Sequence, residues 1–143
     1  MTNDPFSTDE RRALAALTAD FTAKEIAPNL NEWEDAELIP REVHKALGDA
    51  GLLGIGYPEE VGGSGGDSID VTVLTENLLS SGGSGGAFAS LFSHGIAIPH
   101  IIDAANRRRV SGDDAGADWL LDENIRPVLA GDKIAALGVT EPD

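Results

Sequence analysis

Residues 50–67 read AGLLGIGYPEEVGGSGGD and pass from an apolar run, through a Tyr-Pro pair and two glutamates, into a glycine cluster. The same five letters, GGSGG, occur at residues 62–66 and again at residues 82–86. Glycine clusters of this kind are found in flexible linkers, in loops that bind phosphate and in tight turns within a domain. Choosing between these interpretations decides whether the chain is one folded unit or two tethered ones.

The flanking sequence favours a tight turn. The apolar run before residues 62–66 has no polar face, and a second apolar segment follows, so both sides are expected to share one core. Neither GGSGG copy is followed by Lys-Ser or Lys-Thr, and neither completes a G-x-G-x-x-G pattern. Three acids around the first copy would also repel a phosphate: Glu59, Glu60 and Asp67. We therefore expect a compact turn in which glycine supplies positive φ angles.

Composition agrees with a single globular domain. The chain has 143 residues, of which 41% are hydrophobic and 24% charged, and only 5% are aromatic. Its formal net charge of −15 would repel a nucleic-acid backbone, so we expect no nucleic-acid partner. The absence of cysteine excludes disulfides, thiolate metal sites and cysteine nucleophiles.

The first residues, MTNDPFSTDERR, lack the basic and apolar regions of a secretory signal. The longest uninterrupted apolar run is also too short for a membrane span. These two features predict a cytoplasmic protein with no membrane span.

Helical periodicity and capping signals predict the first two helices. Ser7–Glu10 (STDE) fits a capping box, and apolar residues then recur on one face until Pro28, which should end the helix. Residues 29–39 are expected to form a polar connection anchored by Trp33. A second helix is predicted from Pro40 to the glycine stop at Gly51.

Three more helices are predicted after the first glycine cluster. Length favours a helix over Ser68–Ser81, and the strongest apolar face runs from Phe88 to Ile102, with a kink expected at Pro99. Residues 106–116 are expected to be a loop, followed by a short helix over residues 119–129 that breaks near Pro127. Lys133–Val139 has the composition of a strand start. The overall prediction is an all-α bundle of about five helices, with a possible short strand at the C-terminal end.

No catalytic constellation stands out from residue types alone. His94 and His100 are six residues apart, so they do not share a helix face as an i, i+4 metal pair would. Ser64 and Ser84 match G-x-S-x-G but lack the preceding strand of a nucleophile elbow. Arg107–Arg109 is the one basic cluster, and a solvated helix end is favoured there over an anion site.

The order of three stretches resembles the acyl-CoA dehydrogenase family. Residues 50–67 look like the family's loop between its second and third helices. Residues 88–105, FASLFSHGIAIPHIIDAA, look like the helix against which the acyl chain packs, and residues 129–142, LAGDKIAALGVTEP, look like the start of its middle β-domain. The resemblance implies a helical N-terminal domain at residues 1–131 and a truncated beginning of the middle domain at residues 132–143.

The implied activity is that of an FAD-dependent enzyme. Members of the family remove an α-proton from an acyl-CoA thioester with a carboxylate base and pass the β-hydride to flavin, and an electron-transfer flavoprotein then takes the electrons. Family chains are longer and carry the catalytic glutamate in a C-terminal bundle, so no residue here is assigned as catalytic. We expect this chain alone to be inactive and FAD to be bound mainly by regions absent from it. A complete form is expected to be a homo- or hetero-oligomer.

Site residues are implied by position within the resembling stretches. Val139 and Thr140 match the position that contacts the flavin ring. Leu137 stands where relatives often carry an aromatic residue. The stretch that lines the acyl pocket is matched by Ala87, Ser90, Leu91 and His94.

Two alternatives to a dehydrogenase remain open. The same scaffold could serve as a non-catalytic helical subunit or interaction domain, or it could belong to a related flavin oxidase or monooxygenase, because fold does not fix function.

Overall fold

The computed structural model describes residues 6–138, which fold into helices. Helices α1 to α4 span Asp9–Phe21, Leu30–Ala36, Arg41–Asp49 and Ser68–Ser80, and helices α5 to α8 span Gly85–Leu91, His94–Val110, Asp114–Leu120 and Arg126–Leu129. Short π-helical and 3-10 turns join α1 to α2 and α7 to α8. Since α5 and α6 are also nearly continuous, these elements make five helical segments. The prediction of an all-α fold with about five helices is confirmed.

Helix α1 packs against α4, and a small charged network ties their N-terminal ends together. The cap of α1 is Thr8 rather than the predicted Ser7, because the Arg11 amide donates to Thr8 Oγ1 at 3.2 Å. The Arg11 guanidinium pairs with Asp67 and with Asp70, each at 3.0 Å. Asp67 also caps α4 in a capping box with Asp70. One arginine therefore joins both helix starts.

The prediction that Pro28 ends the first helix and opens a polar connection is wrong. A π-helical turn, Thr22–Ile26, and a 3-10 turn, Ala27–Asn29, carry the chain directly into α2. Pro28 lies at the start of that 3-10 turn, where its missing amide hydrogen breaks no necessary bond. Trp33, on α2, is buried in the core as the sequence suggested.

The hydrophobic core has two parts. The first gathers residues of α2–α5 with the turns beside them: Ile26, Trp33, Leu47, Leu52, Leu53, Leu74, Leu78 and Leu91. The second gathers residues of α6–α8 with Val61: Ile98, Ala105, Ala117, Leu121, Ile125, Val128 and Leu129. Because α5 belongs to the first part and α6 to the second, the junction between these helices lies where the two parts meet.

Pro99, where a kink is predicted, lies inside α6. Helix α6 runs continuously through Pro99, and the chain leaves helical geometry earlier, at Phe92 and Ser93. Pro99 cannot donate a hydrogen bond to the Gly95 carbonyl, but Gly95 has no side chain to crowd this part of the helix. A proline near the start of a helix disrupts fewer bonds than one at its centre.

The loop predicted at residues 106–116 is also wrong, since α6 extends to Val110 and only residues 111–113 separate it from α7. Each arginine of the basic cluster has an acidic partner. Arg107 pairs with Asp103, Arg108 with Asp113 at 2.8 Å, and Arg109 with Asp118 at 2.7 Å. The first pair lies within α6, and the other two link the end of α6 to α7 and its cap, which agrees with the structural interpretation of the cluster.

The C-terminal segment is irregular where it is described. Residues 134–138 form no strand, because a strand needs a neighbour to pair with and no other strand is present in residues 6–138. The segment is instead held at its base, where Gly131 lies against the backbone of α3, and at Ala135, whose carbonyl accepts a hydrogen bond from Ser93 at 3.1 Å.

The expectation of no membrane span meets one weak candidate. Gly85–Val110 is 26 residues long with a mean hydropathy of 1.2 in its most apolar window, so length and composition alone would let it cross a bilayer. In this fold 28% of that window is buried, and the buried residues of the stretch include Leu91, Ala97 and Ile98. The core helix of a soluble protein can meet the same length and hydropathy criteria.

Candidate functional site

The loop at residues 51–66 is a hydrogen-bonded turn, as the sequence predicted. The amides of its second half point inward: Gly63 donates to the Pro58 carbonyl at 2.9 Å, Ser64 to Gly54 at 2.8 Å, and Gly65 to Tyr57 at 2.9 Å. The Ser64 hydroxyl donates to the Gly51 carbonyl at 2.7 Å. Since these groups are occupied, the loop offers neither a phosphate cradle nor a free serine nucleophile.

Glycine is required at Gly63 because a Cβ there would lie 2.1 Å from the Tyr57 carbonyl oxygen. This close approach folds the glycine cluster back against the preceding YPEE segment. It fixes the position of Tyr57 relative to the helices behind it. The second GGSGG copy has another role, since Ser84 caps α5 by accepting from the Ala87 amide at 3.1 Å.

A cavity of about 430 Å³ lies between this loop, the first turns of α4 and the junction of α5 with α6. Most of the side chains that line it are apolar. The loop contributes Leu52, Leu53, Ile55, Gly56 and Tyr57, α4 contributes Val71 and Leu74, and the α5–α6 region contributes Phe88, Phe92, His94, Gly95 and Pro99. A mostly apolar concavity with few polar groups is the usual form of a small-molecule site.

Four rings follow one another along this cavity. Phe88 stacks on Phe92 with ring centres 5.0 Å apart and planes at 22°. His94 is tilted against Phe92 on one side and against Tyr57 on the other, at 5.9 Å from each. These are the offset and tilted contacts that aromatic rings prefer.

His94 is a structural part of the wall. Its Nε2 lies 3.1 Å from the Leu53 carbonyl oxygen, and because a carbonyl can only accept, Nε2 carries the proton. Burial lowers the pKa of the His94 imidazole, so the ring is neutral near pH 7. The side chain thereby joins α6 to the loop at residues 52–57.

Tyr57 is the residue of this site that sequence reasoning missed. It is half-buried, burial raises the pKa of its phenol, and no hydrogen bond reaches its hydroxyl from residues 6–138. The sequence signal for Tyr57 was its position between the apolar run and the glycine cluster. A turn at that position places one side chain beside the helices before and after it. As the chain's one tyrosine, it is the cavity's one phenol.

The predicted acyl-pocket residues do not line a single cavity. His94 lines the large cavity, whereas Ala87 and Ser90 line a smaller one of about 240 Å³ beside Trp33 and Leu38 of the α2 region. Leu91 lines neither cavity, because it lies in the core and is only 1% exposed. The predicted flavin contacts, Val139 and Thr140, lie outside the described residues.

His44 is a second buried histidine, on α3. Neither of its ring nitrogens makes a hydrogen bond within the part of the chain described here, although the carbonyls of Ser90 and Pro40 lie near enough to favour its charged form weakly. Burial outweighs them and lowers the pKa of the imidazole. No group of three potential ligands within residues 6–138 could hold a metal ion.

Comparisons with known proteins agree on one family. A profile described as "Acyl-CoA dehydrogenase, N-terminal domain" matches residues 8–108. The chain is 52% identical to a crystal structure described as a probable acyl-CoA dehydrogenase from Mycobacterium abscessus, with a TM-score of 0.83 over 96% of this chain and 34% of the other.

Curated relatives match over similar ranges. A probable acyl-CoA dehydrogenase of Bacillus subtilis is 28% identical over 95% of this chain and 33% of its own length. The mouse mitochondrial protein named long-chain specific acyl-CoA dehydrogenase is 34% identical over 85% of this chain and 25% of its own length. The chain thus spans about a third or less of the curated relatives that it matches.

Proposed function

Since the chain belongs to the acyl-CoA dehydrogenase family, we propose that it forms the N-terminal helical part of an FAD-dependent oxidoreductase that dehydrogenates an acyl-CoA thioester at its α and β carbons. Residues 1–131 would be the helical domain and residues 132–143 the start of a middle domain. The end of α8 at Leu129 and the left-handed turn at Gly131 support a boundary at this point.

The observation that carries this proposal is the large cavity at the α5–α6 junction. It lies on the stretch that resembles the family's acyl-binding helix, it is apolar, and its wall contains His94. An apolar cavity of this size can bury a hydrocarbon or ring-bearing acyl group and keep water from it. We place the acyl group here, with Leu52, Phe88 and His94 as walls.

The smaller cavity is the alternative place for the acyl group, since Ala87 and Ser90 line it. Leu91 is buried in the core and lines neither cavity. The two placements predict different mutational effects: Phe88→Ala should weaken binding in the large cavity, whereas Ser90→Trp should weaken it only if the small cavity is used.

Neither of the two anion-site candidates within residues 6–138 fits the phosphates of FAD. In the glycine loop the amides of Gly63, Ser64 and Gly65 are occupied, and Arg107–Arg109 are paired with acids. We therefore propose that FAD is held mainly by regions beyond this chain, with Val139 and Thr140 as contacts to the ring edge. Bound FAD would supply the hydride acceptor. This chain's share is to bind, orient and shield the thioester.

A chimera tests this function directly. Residues 1–143 replace the matched third of the Mycobacterium abscessus relative, and the purified product is examined for flavin absorbance and for dye reduction with acyl-CoA thioesters. We expect a yellow protein that reduces dye. A folded chimera that binds FAD in the relative's stoichiometry but is inactive with every acyl-CoA would contradict the proposal, with the unmodified relative as control.

The alternatives give different results. A non-catalytic subunit would form a stable partner complex, measured by light scattering, in which this chain does not affect the flavin spectrum. An oxidase or monooxygenase would consume oxygen rather than reduce an electron-transfer flavoprotein, the acceptor that we propose. Homo- or hetero-oligomerisation and a cytoplasmic location likewise stay predictions.

A further inference from the structure

Resting on the proposed acyl site, we propose that Tyr57 determines substrate specificity in the large cavity, and that the acyl group bound there carries an aromatic ring with an oxygen substituent. A phenolic hydroxyl is the substituent that matches the site best. The inference depends on two properties of the wall, its series of aromatic rings and its one free hydroxyl.

The aromatic rings favour a ring-bearing ligand over an alkyl chain. Phe88, Phe92, His94 and Tyr57 contact one another in sequence along the cavity, with neighbouring centres 5.0 to 5.9 Å apart. A ligand ring can extend this series with the same offset or tilted contacts, which add to the benefit of burying apolar area. A saturated ring of equal size gains only the buried area.

The polar content of the wall is concentrated at Tyr57. Among the lining residues, only Tyr57 and His94 carry nitrogen or oxygen in their side chains. His94 Nε2 is bound to the Leu53 carbonyl, whereas the Tyr57 hydroxyl has no partner in the part of the chain that is described. The hydroxyl remains protonated near neutral pH because burial raises the pKa of the phenol. It is therefore available to donate to a ligand oxygen.

The space beside that hydroxyl is open because residue 95 is glycine. A Cβ built on Gly95 would lie 3.8 Å from the Tyr57 hydroxyl oxygen. No other non-adjacent side chain would lie within 4 Å of that Cβ. The wall thus leaves room beside the free hydroxyl for a ligand oxygen, which can accept a hydrogen bond from Tyr57.

Binding to the purified 143-residue chain provides the test. Calorimetry would compare 3-(4-hydroxyphenyl)propanoyl-CoA, 3-phenylpropanoyl-CoA and 3-cyclohexylpropanoyl-CoA, which differ by one oxygen and by the aromaticity of the ring. We expect the hydroxyphenyl thioester to bind about tenfold more tightly than the phenyl thioester, as one added buried hydrogen bond would give. The cyclohexyl thioester should bind most weakly of the three.

Tyr57→Phe removes only the hydroxyl, which makes no hydrogen bond with residues 6–138, so the variant should fold normally. We expect it to bind the hydroxyphenyl and phenyl thioesters equally while its affinity for the phenyl compound is unchanged. Ser80→Ala, at an exposed position of α4 that lines neither cavity, also removes one hydroxyl and is the control that should leave all three affinities as they are.

Isotope labelling gives a readout at the residue itself. Tyr57 is the only tyrosine, so a sample labelled at the tyrosine Cζ gives one NMR signal. That signal should shift more with the hydroxyphenyl thioester than with the phenyl one. A preference for the hydroxyphenyl thioester that persists in Tyr57→Phe, or equal binding of both by the unmodified chain, would overturn this inference alone. No binding of any thioester would overturn the proposed acyl site as well.

Discussion

Ser93 and His94 are neighbours in the chain, yet each holds a carbonyl oxygen from a different segment. The Ser93 hydroxyl donates to the Ala135 carbonyl at 3.1 Å, and His94 Nε2 donates to the Leu53 carbonyl, also at 3.1 Å. The junction of α5 with α6 therefore joins the cavity loop to the segment that leads out of the helical domain. Neither contact could be recognised from local sequence, because each spans more than forty residues.

These two contacts should be separable by hydrogen–deuterium exchange. We expect Ser93→Ala to raise amide exchange in residues 132–138 and to leave residues 52–57 unchanged. His94→Phe should do the reverse, and it should lower the free energy of unfolding by about 1–3 kcal/mol because the buried Leu53 carbonyl loses its donor. His100→Phe, at an exposed position of α6, is the control. Identical exchange patterns in both variants would show that Ser93 and His94 do not hold two different segments.

Stability should fall as the solution is acidified through the histidine range. Burial lowers the pKa of His44 and of His94, so between the folded and unfolded pKa values the unfolded chain binds more protons than the folded one. Their contribution is complete above about pH 6.5, the ordinary histidine value, and is lost as the pH falls from there through the lowered folded pKa.

His44→Leu tests the His44 part of this dependence in urea titrations from pH 5 to 8. His44 makes no hydrogen bond with the described residues, so the variant should change stability at pH 7.5 by less than about 1 kcal/mol. The slope of unfolding free energy against pH should be shallower in this variant than in the unmodified chain. An unchanged slope in His44→Leu would refute the assignment.

Asp67 has two roles, which substitutions can separate. It caps α4 by accepting from the Ile69 amide at 2.8 Å, and it binds Arg11 of α1 at 3.0 Å. Asp67→Asn keeps a capping oxygen and loses the charge, whereas Asp67→Ala loses both. We expect Asp67→Ala to be less stable than Asp67→Asn by about 1 kcal/mol, the usual contribution of an N-cap.

A double-mutant cycle with Arg11→Met isolates the ionic part of this contact. In the Arg11→Met background, Asp67→Asn should have no further effect, while the difference between Asn and Ala at residue 67 should persist. The ionic part should also weaken with added salt, as exposed pairs do, and the capping part should not. If the stability difference between Asp67→Asn and Asp67→Ala disappears in the Arg11→Met background, the independent capping role is contradicted.

The helices that sequence predicted correctly are those with a local start signal and one apolar face. Asp67 and the residues after it mark α4, and the boundaries predicted there differ from the observed Ser68–Ser80 by one residue. Pro28 misled the prediction because a π-helical turn and a 3-10 turn can absorb a proline that an α-helix would reject. The periodicity of apolar residues does not distinguish a helix that ends at a proline from one that continues through π-helical and 3-10 turns.

The site was less predictable than the fold. The family resemblance pointed to α5 with the first turns of α6 and named His94, which lines the large cavity, while its part in substrate binding stays a prediction. The resemblance did not identify Tyr57, whose proposed role depends on a turn of the backbone and on a glycine at residue 95, thirty-eight positions away in the chain. It also grouped Ala87 and Ser90 with His94, although the curvature of a helix directs them to different cavities.

One of the closest backbone approaches in the fold predicts a severely destabilising methyl group. A Cβ on Gly48 of α3 would lie 2.3 Å from the backbone carbon and oxygen of Ala130, and neither chain can move without disturbing the Lys45 contact to the same carbonyl. We expect Gly48→Ala to lower the free energy of unfolding by about 3 kcal/mol or more, since backbone atoms cannot rotate away as a side chain can.

Gly85→Ala is the matched control, because Gly85 is also helical but a Cβ there would meet nothing within 4 Å. Replacing it should change stability by less than about 1 kcal/mol and in the stabilising direction, since alanine loses less backbone entropy on folding. Urea unfolding followed by circular dichroism would measure both variants. If the two substitutions shift the unfolding midpoint equally, then α3 does not pack against Ala130 as closely as this structure shows, and the segment after α8 is not held at its base.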